Sequence, residues 1–174
     1  MIFRLSQKLV QKLKINLAGC HPPPSNPFAD WSASLFSVQR AQYIILTNTS
    51  SLYSVVMLGR GFADQSRFVE AALKSIREFP IADGLESLYH QFAAALDTIE
   101  FSAALNRSVT GSMNDLMLNA KQWIGEQGDS PFDAAVGLNQ MPMSALGYGN
   151  PRKAFKALEG KQPTSGTGNA VSLV

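Results

Sequence analysis

Two hydrophobic periods divide the chain. Between Trp31 and Val38 the period is that of an extended segment, with Trp31, Ala33 and Leu35 on one face and Phe36 and Val38 on the other. Gln39-Arg40 follows as a turn, without the Asn-Gly pair of the tightest hairpins. Tyr43-Ile44-Ile45-Leu46 is a continuous apolar run, the pattern of a central strand covered on both faces. Thr47-Asn48-Thr49-Ser50 is a cluster of turn formers, and Leu52 to Leu58 reads as the third strand of a meander that Gly59-Arg60-Gly61 ends. Ahead of it, Met1 to Arg4 reads as a short strand. Ser6 is placed to cap a helix to Lys14, with Leu5, Leu9 and Leu13 at four-residue spacing. Four prolines between Pro22 and Pro27 exclude a helix there.

The second half is helical in period. Phe68, Val69, Ala72, Leu73, Ile76 and Phe79 form one stripe over 64–79, which Pro80 is expected to end. Asp83-x-x-Glu86 has capping-box spacing, and Leu85, Leu88, Tyr89, Phe92, Leu96 and Ile99 predict a second helix to about Thr98, paired with the first. Residues 100–107 read as a strand and 112–126 as a helix with Leu116, Met117, Ala120, Trp123 and Ile124 inward. Ser130-Pro131 starts another helix, with serine at the cap and proline at the first helical position. Residues 152–158 read as a last short helix. The fold class expected is α+β: a small, mainly antiparallel sheet, the meander plus one or two further strands, packed against several helices. Residues 1–159 are expected to form a single domain and the small, polar 160–174 a flexible tail.

Composition narrows the function classes. Of 174 residues, 45% are hydrophobic and 16% charged, a globular balance. The net charge of +2 is uneven. Arg4, Lys8, Lys12 and Lys14 make the start basic, and Arg152, Lys153, Lys156 and Lys161 outweigh Glu159 at the end, so the body between is acidic. One cysteine, Cys20, forbids an internal disulfide and favours a reducing compartment, hence the cytoplasm. The two histidines, His21 and His90, are far apart, and no metal-ligand spacing is present, so neither a metal nor a cofactor is expected. Leu17-Ala18-Gly19-Cys20 has the form of a lipoprotein cleavage site, but Lys8, Lys12 and Lys14 interrupt the apolar stretch a signal peptide needs, so no lipid anchor is expected. No apolar run reaches membrane-spanning length.

Candidate chemistry centres on Asn106-Arg107-Ser108-Val109-Thr110-Gly111-Ser112-Met113-Asn114-Asp115, where a strand is expected to give way to a helix. Free amides at a helix start hold anions; Gly111 admits close approach, Ser108, Thr110 and Ser112 supply hydroxyls, and Arg107 a fixed cation. No P-loop ending is present. Ser112-x-x-Asp115 also fits a plain capping motif. Asn48, at a strand end, and Arg60, between glycines, are the other ligand candidates. Cys20 beside His21 lacks the third group that would orient a nucleophile–base pair, and no catalytic residue is assigned. The methionines, Met113, Met117, Met141 and Met143 among them, read as core filler.

Three stretches, MIFRLSQKL, DWSASLFSVQRAQYIILTNTSSLYSVV and NRSVTGSMNDL, together resemble a bacterial family described only as a domain of unknown function. The resemblance spans most of residues 1–155. It implies a bacterial cytoplasmic origin and a mobile-element setting, and carries no activity over. Thr110 stands where the family more usually has an aliphatic residue. The function favoured is a non-catalytic binding or accessory protein contacting a protein or nucleic-acid partner. The alternative is an enzyme or sensor that holds a phosphorylated or carboxylated small molecule at 106–115, with Arg107, Ser108, Thr110, Gly111 and Ser112 joined by Asn48 or Arg60.

Overall fold

A computed structural model describes residues 1–161 apart from 63, 94 and 97, so the tail expected over 160–174 lies almost wholly outside the described residues. Five strands, β1 (Ile2–Leu5), β2 (Asp30–Val38), β3 (Ala41–Asn48), β4 (Ser54–Leu58) and β5 (Glu100–Ser102), form one sheet in the order β4-β3-β2-β1-β5. The meander β2-β3-β4 is antiparallel as its turns dictate. The sheet as a whole is mixed, not mainly antiparallel, because β1 lies parallel to both β2 and β5. Parallel neighbours need long crossovers. The helix α1 (Gln7–Leu13) and the proline-rich loop supply the one between β1 and β2, and α2 (Gln65–Ala82) with α3 (Tyr89–Ala93) carries the chain from β4 at one edge to β5 at the other.

The pleat separates two unlike faces. Phe3, Trp31, Ala33, Ile44, Leu46 and Val55 share one, by strand register. There Phe68 of α2 meets Phe3 edge-on at 5.7 Å between ring centres, and Leu9 and Leu13 of α1 are buried. The opposite face carries a row that crosses every strand: Ser102, Arg4, Ser32, Thr47 and Ser54 are successive register partners, and all five are buried. Helix α4 (Arg107–Gln122) and α5 (Pro131–Gln140) cover this side, with Met113, Leu116, Ala120, Ala135 and Leu138 turned inward. Helix α6 (Pro151–Lys156) plugs one end of the core: Phe155 stacks on Tyr53 at 4.3 Å and meets the rings of Phe28 and Trp31.

Buried polar groups stay only if bonded, and the row is bonded throughout. Arg4 Nε and Nη2 donate to the two carboxylate oxygens of Asp30 at 2.7 and 2.8 Å, the forked geometry that suits a guanidinium. Its Nη1 donates to the His21 carbonyl at 2.9 Å and to Ser102 Oγ at 3.3 Å. Thr49 donates to Asp30 and is bonded to Ser32, and Thr47 is bonded to Ser54. Asn139 of α5 finishes the row at the edge by accepting from the Ser54 amide at 2.7 Å and donating to its carbonyl at 2.8 Å.

Local departures from expectation have local causes. Pro80 does not end α2 but sits in its last turn, and the helix runs on to Ala82. The capping box at Asp83 does not form, because the Asp83 carboxylate accepts from Tyr53 Oη at 2.8 Å and from Arg152 Nε at 3.1 Å. A 3₁₀ turn at Glu86–Leu88 and the five residues of α3 stand in place of the long helix expected to Thr98. Ser6 precedes α1 in extended conformation but makes no capping bond. The strand expected over 100–107 stops at Ser102, and α4 begins at Arg107 rather than Ser112 because Asn106 caps it, accepting from the Val109 amide at 3.0 Å. After Gln122 the turn widens to a π-helix over Trp123–Gln127, ending at Gly128 with φ 77°.

Burial, and then the Asp83 carboxylate, push the Tyr53 phenol far above its ordinary range. The folded chain therefore holds a proton that the unfolded chain releases above about pH 10, so this contribution to stability is complete below that pH and falls as pH rises through it. Urea unfolding between about pH 9 and about pH 11 is expected to show a decline that is shallower in Tyr53→Phe. Equal slopes in both proteins would contradict this.

Candidate functional site

Between β1–β2 and the first turns of α4 runs a cleft of about 70 Å³. Arg4 and Ser32 of the buried row lie at its base, Ser6 and Ser34 beside them, and Thr110, Met113 and Asn114 line it from the helix. Each of the three stretches that carry the family resemblance contributes: the first gives Arg4 and Ser6, the second Ser32 and Ser34, the third Thr110, Met113 and Asn114.

The polar groups of the cleft differ in what remains free. Arg4 is committed to Asp30, His21 and Ser102, so its charge is balanced in place. Ser32 is bonded to Thr49, and Thr110 Oγ1 donates back to the Asn106 carbonyl at 3.1 Å. Ser6 Oγ is buried and has no hydrogen-bond partner. A serine before a helix ordinarily gains about 1 kcal/mol by capping it. Here the hydroxyl forgoes that bond, and its residue lines the cleft instead. The lining includes no carboxylate, imidazole or thiol.

The residues singled out from the sequence disperse. Arg107 and Ser108 are exposed in the first turn of α4, and Ser112 is buried. Gly111 is the fifth residue of α4, so its amide belongs to the helical ladder and is not one of the free donors of the first turn. A methyl group added there would meet nothing within 4 Å. Asn48 is buried and fully used by its own turn. It donates to the carbonyls of Pro27 and Asp30 and accepts from the Ser51 amide and hydroxyl. Arg60 lies at the other end of β3, exposed in an open depression with Arg40, Tyr43 and Ile124. Asn48 and Arg60 are thus separated by most of the length of β3, roughly 20 Å at the usual rise per residue. Of the seven candidates only Thr110 lines the cleft.

Sequence reasoning missed Arg4, Ser6, Ser32 and Ser34. The alternation of Asp30, Ser32 and Ser34 with apolar residues was the available signal, but such a pattern ordinarily marks a solvent-facing side. Cys20 and His21 do not form a dyad: the imidazole Nδ1 is 3.1 Å from Glu100 Oε2 and Cys20 Sγ lies 3.6 Å from the Ala104 carbonyl. Among the described residues no three His, Cys, Asp or Glu side chains gather as metal ligands, and no helix is long and apolar enough to cross a membrane.

Stability measurements separate the two readings of the α4 start. Gly111→Ala is expected to raise the unfolding free energy by about 0.5–1 kcal/mol, since the site is helical and open. Asn106→Ala is expected to lower it by about 1 kcal/mol through loss of the cap. A destabilised Gly111→Ala would show that the glycine is needed for something other than the helix.

The family model described as Domain of unknown function (DUF6933) matches residues 2–154. No curated protein matches the chain. No solved structure matches it.

Proposed function

The chain belongs to the DUF6933 family of unknown function, and from its own geometry we propose that it is a non-catalytic binding protein whose cleft takes a short, uncharged, hydrogen-bonding group. The observation that carries this reading is the buried, unpartnered hydroxyl of Ser6 beside the polar row. A buried hydroxyl without a partner costs about 1–3 kcal/mol, which a guest offering a donor or acceptor recovers. Ser34 and Asn114 flank it and give the guest two further polar contacts.

Size and charge define the guest. A water molecule takes up about 30 Å³ in the liquid, so the cleft admits a few heavy atoms: a small solute, or the tip of a side chain or larger ligand. The Arg4 charge is already answered by Asp30, so an anion entering the cleft finds no free cation. This favours a carboxamide or hydroxyl over the phosphorylated or carboxylated ligand of the alternative. With no general base in the lining, the arrangement supports recognition rather than turnover. The bacterial, cytoplasmic setting is part of the same proposal and rests on the family resemblance and the single cysteine.

A titration followed by backbone amide shifts tests it. Acetamide and methanol are expected to move the signals of Ser6, Ser34 and Thr110, and acetate and inorganic phosphate to leave them in place. Ser6→Ala is expected to weaken acetamide binding by about fivefold, the worth of one net hydrogen bond. Shifts produced by phosphate alone would overturn the neutral guest, and shifts from none of the four would remove the site.

A further inference from the structure

At the opposite end of the sheet from β5, β4 is the terminal strand and pairs with β3 alone. The bonding pattern of β4 is alternating. Tyr53 and Gly59 bond inward to Asn48 and Gln42 of β3, which fixes Val55 and Met57 as inward and Ser54, Val56 and Leu58 as outward. Asn139 takes both outward groups of Ser54. Among the described residues no hydrogen bond reaches the outward amide and carbonyl of Val56 or Leu58. Open edges are ordinarily blunted by charge, proline or a covering element. Here Asn139 pairs with the edge at Ser54 only, while the Val56 side chain is itself buried, at 6% exposure.

Beside that edge lies a groove of about 450 Å³ between α2 and α5. Val55 and Val56 form its floor, and Phe79 and Ala82 of α2 and Pro131 and Phe132 of α5 its sides, with the Phe79 and Phe132 rings meeting edge-on at 5.2 Å. Phe132 and Leu58 are 43% and 44% exposed, which is high for large apolar side chains beside an unpaired strand. Among the described residues, Glu78 is the one charged residue of its lining.

We propose that the β4 edge is a docking site for an extended segment of another protein, which pairs with the main chain of Val56 and Leu58, lays apolar side chains into the groove, and carries lysine or arginine against Glu78. The outward amides and carbonyls demand an extended guest, because only a strand offers main-chain donors and acceptors at matching spacing. The Pro131–Phe132 wall of α5 takes aliphatic residues at alternate positions, and Glu78 on the α2 wall selects the cationic ones between them. This surface is separate from the cleft under α4, with which it shares no lining residue.

The test uses the full chain and three hexapeptides: alternating lysine and valine, the same with glutamate for lysine, and the lysine peptide N-methylated at alternate residues. Hydrogen exchange at the Val56 and Leu58 amides is the readout. The lysine peptide is expected to slow both at least about tenfold, an effect weakened by salt and by Glu78→Gln. The glutamate and N-methylated peptides are expected to leave them unprotected. Equal protection by the glutamate peptide, or none by the lysine peptide, overturns the proposal. Protection without peptide that grows with protein concentration assigns the edge to a second copy of the chain. Protection lost when the chain is cut after Lys161 assigns it to the chain's own end. Either outcome also overturns the proposal.

Discussion

A guanidinium with almost no exposure has to be answered on every side, and much of the architecture follows from how Arg4 is answered. Asp30 takes two of its nitrogens, and the third reaches the His21 carbonyl and Ser102. Those partners come from β2, from the proline-rich loop and from β5. Arg4 thereby holds β1 between two parallel neighbours and ties down the loop that leads from α1 to β2. Desolvating two charges costs several kcal/mol each, so the pair adds little net stability of its own. Its consequence is specificity of arrangement: another register of β1 would leave a charge buried without its partner.

The same row explains why the two faces of the sheet do different things. The aromatic face, built on Phe3 and Trp31, is closed by α1, α2 and Phe155. The polar face cannot be sealed by apolar packing alone, because each hydroxyl of the row needs a partner. Thr47 and Ser54 satisfy each other, and Ser32 is met by Thr49. Ser6, which follows β1 outside the row, has no partner, and its residue borders the cleft. At the β4 end the row is finished by Asn139, a single side chain that imitates a neighbouring strand for one residue and no further. The cleft and the open edge thus both lie where the polar row meets a boundary of the helical cover.

What was legible in the sequence was what local pattern determines. The meander followed from the alternation over 31–38, the run at 43–46 and the turns between them. The stripe from Phe68 to Phe79 gave α2, and Ser130-Pro131 gave the start of α5. Pairing was not legible for β1 and β5, because a strand of three or four residues carries no mark of its neighbour's direction. The α4 start differs because Asn106, six residues before the expected start at Ser112, supplies the cap, and Ser112 lies inside the helix. The long helix after Asp83 failed because the capping carboxylate was claimed by Tyr53 and Arg152, partners far away in sequence. The cleft was the least legible feature. Hydroxyl and guanidinium groups on a strand read as solvent-facing, and only tertiary structure shows that Arg4, Ser32 and Ser34 look toward a helix instead.

The dependence on the ion pair is tested most directly by a double-mutant cycle on Arg4→Met and Asp30→Val, with unfolding free energy as the readout. Each single substitution is expected to cost about 3–5 kcal/mol by leaving the opposite charge buried, and the double far less than their sum. Singles costing under about 1 kcal/mol, or effects that simply add, would contradict the account.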